Sequence, residues 1–316
     1  MPVDPVLASY GDLAYGTALV LYLFAMVLHA VEYAGERARA GTAQPATSPQ
    51  TTVDGGGPVA TLAPPGDGRS GVERIGRSAV ALTGLTLGVH GCSLALRGAA
   101  VGRVPWGNMY EFTSAVCFVA LLAWLVVLYR QRSSAPALRR LGLFVLLPVV
   151  VLLFLGGTVL YVDAAPLIPA LNSYWIVIHV SAAIASTGIL LVSGVASVLY
   201  LVQERAGRTA RLPSSAMLDR VAYRTAVVAF PIWTFALITG AIWAEVAWGR
   251  YWGWDPKETV GLVAWVVYAG YLHARSTAGW RGSRAAWINV VGFAVMVFNL
   301  FFVNIVIAGL HSYAGL

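Results

Sequence analysis

Eight apolar stretches, each long enough to cross a bilayer, constrain the fold of this chain more than any other feature. A spanning helix needs about 20 predominantly apolar residues. The stretches lie near 10–33, 76–97, 112–130, 141–162, 174–202, 223–246, 258–276 and 285–310. Only 11% of the 316 residues are charged, against about 25% in a soluble domain. The sequence therefore predicts an all-α, polytopic membrane protein with about eight transmembrane helices.

A polar segment separates the first two stretches. Gly41 to Gly71 is rich in Gly, Pro, Thr, Ala and Ser, which is typical of flexible linkers because it buries too little apolar surface to pack. We expect a first transmembrane helix within 1–40, a disordered cytoplasmic linker at 41–72 and a transmembrane domain at 73–316. Met1 to Gly16 lacks a basic n-region and an obvious cleavage site, so the first stretch should remain as an anchor.

The basic residues predict the orientation. With eight spans, all but four of the 21 lysines and arginines lie on one side of the membrane. The positive-inside rule makes that side cytoplasmic, so both termini are predicted to be extracytoplasmic. The other four are Arg97, Arg103, Arg250 and Lys257. The net charge of +7 follows this topology and gives no reason to expect a nucleic-acid partner.

An aromatic loop joins the sixth and seventh stretches on the outer side. It reads Trp248-Gly-Arg-Tyr-Trp-Gly-Trp-Asp-Pro-Lys-Glu-Thr259. Tryptophan and tyrosine collect at membrane interfaces, so an aromatic belt is one interpretation. The cluster, with glycines that allow the backbone close to a ligand, equally suits a binding platform for a large, planar ligand with acidic edges. Both interpretations remain open on the residues alone.

Local capping explains some polar residues of the outer loops. Asp255, Pro256 and Glu258 form the pattern of a capping box at the start of a helix. This would fix the angle of the aromatic loop whatever the loop binds. Asn108 and Glu111 lie at the start of the third stretch. They either cap its helix or face the same binding cavity as the aromatic loop.

Two of the five histidines share the outer level of the aromatic loop. His179 lies about 9 Å along a helix from its outer end near Ser173, and His311 follows the eighth stretch. Two imidazoles beside an aromatic platform suit the axial ligation of a haem iron. A hydrogen bond between helices explains a single membrane histidine equally well.

The remaining histidines and the outer cations have alternative roles. His29 and His273 lie near cytoplasmic ends of stretches, and His90 lies in the outer half of the second. The two haem propionates need cationic or amide partners, and the four outward basic residues named above are the cationic candidates. Each of those four could equally be a solvated charge at the end of a span.

These residues resemble a known family. Trp248-Gly-x-x-Trp252-x-Trp254-Asp255 is similar to the tryptophan-rich WWD signature of the haem-handling proteins of cytochrome c maturation. Within that superfamily the chain resembles the system II type (CcsA/ResC, called CcsB in actinobacteria). Further matching segments are 105–111, 173–179, 271–275 and 309–313, and the resemblance covers about residue 80 to the end.

The resemblance implies a site and its ligand. His179 and His311 would be the axial ligands of an outer, transiently bound haem b. His273 would ligate an inner haem whose second ligand lies on a partner, with His29 as an alternative. The other cofactor-binding residues of the outer loop, which spans 243–259, would be Trp248, Trp252, Trp254, Asp255, Arg250 and Lys257.

The resemblance also implies an activity. The chain would work with a CcsB/ResB-type membrane protein in the bacterial plasma membrane, its aromatic loop facing outward. The complex would move haem outward and join its vinyl groups to the thiols of the CxxCH motif of apocytochrome c. This chain would be the membrane subunit of a holocytochrome c synthase (haem lyase). It has two cysteines and no CxxC, so it is no thiol–disulfide carrier of the usual kind.

Three other interpretations compete with this one. A system I exporter would share the tryptophan motif and pass haem to a carrier, but its chains are shorter or much longer. A membrane cytochrome or quinone-linked redox subunit would have facing histidine pairs at two depths and no tryptophan-rich loop. A transporter of a substrate other than haem would use the aromatic residues only as an interfacial belt.

Overall fold

The computed structural model describes residues 3–42, 71–131, 134–167, 171–206, 212–307 and 309–311. These residues form ten α-helices and no strand. The helices are α1 (Pro5–Thr42), α2 (Gly71–Val101), α3 (Met109–Arg130), α4 (Ala135–Arg139), α5 (Leu141–Thr158), α6 (Tyr174–Arg205), α7 (Ser215–Trp248), α8 (Pro256–Ser276), α9 (Ser283–Leu300) and α10 (Phe302–Ile305).

The eight long helices correspond to the eight predicted stretches, so the all-α, polytopic prediction is confirmed. Seven of the described helices, α8 excepted, are long and apolar enough to cross a membrane. Helix α8 is of similar length but begins with Lys257 and Glu258 and ends with His273 and Arg275, which lowers its mean hydropathy. The sides on which the termini lie remain a prediction.

The boundaries differ from the prediction at two places. Most of the predicted linker, residues 43–70, lies outside the described residues. The eighth stretch, predicted as continuous over 285–310, is instead divided at Phe301, between α9 and the short α10. His311 therefore follows a short helix and a turn rather than the end of one long helix.

The helices that carry the site pack around α6. Helix α6 runs along α7 and also contacts α3 and α9, while α8 packs against α9 and α7. Apolar side chains fill the interior of this group, among them Trp233, Tyr268 and Met296. Helices α1 and α2 pair with each other on the other side of the bundle, next to α5.

A buried amide joins α9 to α6. The Nδ2 group of Asn289 donates to Ser193 Oγ at 2.9 Å and to Ser197 Oγ at 2.7 Å. Within a membrane, apolar contacts between helices gain little over contacts with lipid, so polar bonds and small residues hold neighbouring helices together. This bond fixes α9, and with it the segment that leads to His311.

An ion cluster fixes the loop before α3. The buried carboxylate of Glu111 accepts hydrogen bonds from Arg97 Nε at 3.1 Å, Arg103 Nη1 at 2.8 Å and the Gly107 amide at 2.8 Å. Asn108 caps α3 by accepting the Glu111 amide through Oδ1 at 2.9 Å. The predicted cap at Asn108 is therefore present, and the loop before it is held to the end of α2 through Arg97 and Glu111.

Candidate functional site

A largely apolar cavity opens between α3, α6, α7, α8 and the α9–α10 segment. Five of the predicted site residues line it: His179, His311, Trp248, Trp252 and Lys257. It also reaches inward to Thr187, about 12 Å along α6 from His179 at 1.5 Å per residue. The cavity thus begins at the aromatic loop and continues into the interior of the bundle.

The His179 ring is held in one orientation by α7. Its Nδ1 lies 2.8 Å from the carbonyl oxygen of Ala236, and a carbonyl only accepts, so Nδ1 carries the hydrogen. The neutral imidazole therefore keeps its lone pair at Nε2, as a metal ligand requires. Gly240 makes this approach possible, because a Cβ there would lie 2.7 Å from His179 Cε1.

The His311 ring is oriented by the aromatic loop. Its Nδ1 lies 2.8 Å from Asp255 Oδ2, and an ionised carboxylate is an acceptor only. The tautomer is therefore the same as that of His179, with the lone pair at Nε2. A carboxylate behind a histidine is the common second-shell arrangement at metal sites, because it fixes the ring and raises its basicity.

Asp255 joins three parts of the site through one carboxylate. Besides His311, it accepts the Lys257 amide at 3.0 Å and the Leu310 amide at 2.7 Å. Gly309 lets the chain approach, since a Cβ there would lie 2.7 Å from Asp255 Oδ1. Burial raises the pKa of the Asp255 carboxyl, but the hydrogen bonds from His311, Leu310 and Lys257 outweigh it and hold the pKa at about 2.

The predicted capping box begins α8. The Asp255 carboxylate accepts a backbone amide of the first turn, and Glu258 Oε2 accepts the Asp255 amide at 3.2 Å. Helix α7 ends at Gly249 in the left-handed region, with φ of 70°. The aromatic loop is thus fixed at both ends, by a left-handed glycine and by a capping box.

Tryptophans form one wall of the cavity. The Trp243 ring lies nearly parallel to that of His179, with centroids 6.2 Å apart, and is inclined by 60° to that of His311 at 6.0 Å. Trp248 lies edge-on to both Trp243 and His311, at 4.7 and 5.1 Å. The two imidazoles and two indoles therefore form a single aromatic cluster.

The outer cations divide into structural and cavity-lining groups. Arg97 and Arg103 bind Glu111, and Arg250 binds Glu258 at 3.3 Å and lies over Trp248. Among the described residues that line the cavity, Lys257 is the only lysine or arginine. Of the four cations considered from the sequence, the structure brings only this one to the cavity.

Two predicted site residues lie elsewhere. Trp254 is 70% exposed and is not among the residues that line the cavity. His273 is exposed near the opposite end of α8, about 24 Å from Lys257 at 1.5 Å per residue. The structure therefore separates His273 from the pair formed by His179 and His311.

The other two histidines have structural surroundings. His90 is buried, with Nε2 at 2.9 Å from Ser114 Oγ and Nδ1 at 3.4 Å from the Tyr22 hydroxyl. His29 is buried edge-on against Trp124, 3.7 Å from Glu32. Neither lines the cavity.

Sequence reasoning missed Trp243 and Gly240. Both lie in the apolar part of α7, where the sequence shows only a membrane span. Trp243 stands five residues before Trp248, which brings both to the outer end of one helix, and this spacing was the available signal. No sequence signal distinguishes Gly240 from the other glycines of the spans.

The fold and the site define a class of protein. It is a polytopic membrane protein in which a cavity beside the aromatic loop presents two imidazoles, each held by a hydrogen bond at Nδ1, on a wall of tryptophans. Residues 106–311 match the family described as Cytochrome C assembly protein. This chain belongs to that family.

Several relatives support this membership over most of the chain. The cytochrome c biogenesis protein CcsA of Synechococcus sp. (strain CC9902) is 35% identical over 286 residues, covering 81% of this chain and 91% of that protein. CcsA of Prochlorococcus marinus (strain MIT 9313) is 36% identical over 267 residues, covering 74% and 82%. CcsA of Chlamydomonas reinhardtii is 35% identical over 249 residues, covering 74% and 69%.

A solved structure shares the fold. The structure called cytochrome c heme lyase CcmF aligns with a TM-score of 0.65 at 16% identity. The alignment covers 95% of this chain and 47% of that one, so this chain spans about half the length of that protein. This likeness concerns the fold alone.

The environment of His311 predicts a pH-dependent stability. Burial lowers the pKa of its imidazole, although Asp255 acts in the opposite direction. The unfolded chain therefore binds this proton more readily, so the folded state loses stability as the pH falls through about 6.5. Replacing His311 with Gln should reduce the acid-side slope of the unfolding free energy by up to about 1.4 kcal/mol per pH unit.

The measurement is thermal unfolding of purified protein between pH 7.5 and 5, wild type beside the variant. Asp255 titrates far below this range, so it does not contribute to the difference. Equal slopes for the two proteins would contradict the predicted neutral, partly buried state of His311.

Proposed function

We propose that this protein binds haem b in the outer cavity, between His179 and His311, and presents it for attachment to apocytochrome c. Membership of the family supports a role in cytochrome c maturation, and haem attachment is the step proposed here. The observation that carries the proposal is the matched tautomer of the two histidines. Each gives its Nδ1 hydrogen to an acceptor, and so each keeps a lone pair at Nε2.

The remaining surfaces of the cavity fit the same ligand. The aromatic and aliphatic lining suits a flat macrocycle, and aromatic side chains supply most of the contact area in such sites. Lys257, at the start of α8, supplies positive charge for a propionate. Ligation on both faces would keep the iron six-coordinate and would prevent oxygen from binding to it before the haem is attached to apocytochrome c.

The reaction needs positioning more than covalent catalysis. In the proposed reaction, a thiol S–H of the apocytochrome adds across a vinyl C=C of haem. The sulfur bonds to one carbon and the proton goes to the other, so the step involves no net oxidation or reduction. Holding the two groups together supplies much of the acceleration in such reactions. Of the two cysteines, Cys117 is buried and Cys92 is exposed, and neither lines the cavity, which agrees with thiols supplied by the apocytochrome.

The wider assembly belongs to the same proposal. The chain would sit in the bacterial plasma membrane with its aromatic loop outward and act with a CcsB/ResB-type partner. His273, at the cytoplasmic end of α8, would serve an inner haem whose other ligand lies on that partner. Trp248 and Trp252 would pack on the outer haem directly, because both line the cavity.

Absorption spectroscopy of the purified complex tests the proposal. The wild type should show the sharp reduced bands of low-spin, bis-histidine haem. His179→Ala and His311→Ala should each lose or weaken them, and added imidazole should restore them by occupying the vacated position. His90→Ala is the matched control, since that histidine is buried at 0% exposure but lies outside the cavity. A colourless wild type, with haem plentiful, would reject the proposal.

Gly240 provides a second test that removes no ligand. Gly240→Ala would place a methyl 2.7 Å from His179 Cε1 and 2.8 Å from its Nδ1, displacing the ring from its bond to Ala236. We expect haem affinity to fall about tenfold or more, because catalytic and binding groups tolerate little displacement. Gly270→Ala is the control, since a Cβ there meets nothing within 4 Å. Equal haem content in the two variants would count against a fixed His179.

Lys257 is tested against Arg250. A charge-assisted hydrogen bond contributes about 1.5–3 kcal/mol, so Lys257→Gln should weaken haem binding roughly tenfold or more. Arg250→Gln removes a partly exposed ion pair with Glu258, and such pairs contribute about 0–1 kcal/mol. Its effect on the haem dissociation constant should be much smaller. If Arg250→Gln instead weakened haem binding more than Lys257→Gln did, Arg250 rather than Lys257 would be the propionate partner.

A further inference from the structure

The aromatic loop holds one tryptophan that the haem site does not use. Trp254 is 70% exposed, and its ring contacts Trp252 edge-on with centroids 5.7 Å apart. Trp252 lines the cavity, whereas Trp254 is not among the lining residues. The Trp254 side chain therefore lies immediately outside the cavity, next to one of its walls.

The backbone at Trp254 is strained. Its φ is 59°, and within the described residues it is the only one other than glycine with a positive φ. This left-handed region is unfavourable for a side chain with a Cβ, and bulky residues rarely occupy it. Glycine occurs nearby at Gly249, Gly253 and Gly309. Position 254 is nevertheless occupied by tryptophan, although glycine would adopt this φ without strain.

One carboxylate imposes the strained conformation. Glu258 Oε2 accepts the Gly253 amide at 2.9 Å and the Asp255 amide at 3.2 Å, on the two sides of Trp254. Glu258 Oε1 is bound by Arg250. The peptide on each side of Trp254 is thus pinned, and the indole is directed outward rather than into the cavity.

Such strain, maintained by surrounding bonds, is found at functional positions. A tryptophan that only marks the membrane interface needs no special backbone, and most of the Trp254 indole is left exposed beyond its edge-on contact with Trp252. The structure thus favours a contact with a partner that arrives at the mouth of the cavity. Tryptophan is also among the residues that contribute most to binding at protein interfaces.

We propose that Trp254 is a docking residue for the apocytochrome segment that carries the two thiols. The inference rests on the proposed function, because the segment must cross the mouth of the cavity for its thiols to reach a haem held inside. Trp254 stands beside that mouth and contacts the cavity wall through Trp252. In this proposal Trp254 contacts the apocytochrome, whereas Trp248 and Trp252 contact the haem.

The experiment uses the full-length, haem-loaded protein in lipid nanodiscs. The probe is a synthetic peptide with a CxxCH motif whose thiols are alkylated, so that binding is measured without covalent attachment. The variants are Trp254→Asn, which tolerates a positive φ, and Trp254→Phe, which keeps an aromatic ring. Tyr10→Asn is the control, an equally open aromatic residue on α1 with 56% exposure.

We expect Trp254→Asn to weaken peptide binding at least tenfold, with an unchanged haem spectrum and an unfolding temperature equal to or above that of the wild type. Trp254→Phe should bind the peptide more tightly than Trp254→Asn, and Tyr10→Asn should bind it like the wild type. A merely structural Trp254 would instead give a lower unfolding temperature in the Asn variant.

The outcomes separate this inference from the function on which it rests. If Trp254→Asn holds haem and binds the peptide as the wild type does, the docking role is wrong and the haem site stands. Lost haem in that variant would place Trp254 in the haem site and also overturn the docking role. If the wild type binds no haem, the proposed function fails first.

Discussion

The hydrogen bond between Asp255 and His311 is the interaction on which the outer site depends. These residues lie at opposite ends of the α8–α10 segment, and one carboxylate brings them together. The same carboxylate begins α8 and holds the Leu310 amide. A helix cap, a ligand tautomer and the closure of the cavity are therefore one structural element. Any change that turns this carboxylate away alters all three together.

The effect of the Asp255–His311 hydrogen bond is local because the packed helices that carry the rest of the cavity are fixed by other contacts. Helix α6 contributes His179 and is fixed to α7 by close contact at Gly240 and to α9 by the bonds of Asn289. The loop before α3 is fixed independently through Glu111 and its two arginines. The cavity is thus built largely from side chains on packed helices. Among the described residues, its irregular parts are the aromatic loop, the loop before α3, the segment before α6 and His311. Sites carried by packed helices keep ligand geometry better than sites built on loops.

The sequence was sufficient for the number and type of the helices, because a spanning helix requires a long apolar run. It also identified the capping box and the histidine pair, since both depend on residues at short or recognisable spacings. It could not choose among the four outer cations. That choice depends on which cations Glu111 and Glu258 bind and on which side chain faces the cavity, and both follow from the folded loops. The break at Phe301 was missed because the apolar pattern continues through it unchanged.

The inclination of the rings has a consequence for stereochemistry. The Trp243 ring lies at 6° to His179 and at 60° to His311, so the two imidazoles do not present equivalent faces. Lys257 lies on one wall only. Haem itself has two distinguishable faces, and turning it over with the propionates kept in place exchanges the positions of its two vinyl groups relative to the protein. In the proposed complex with haem, a cavity with unlike faces would bind the two orientations with different free energies. The walls that hold the macrocycle would then contribute to the handedness of each new carbon–sulfur centre.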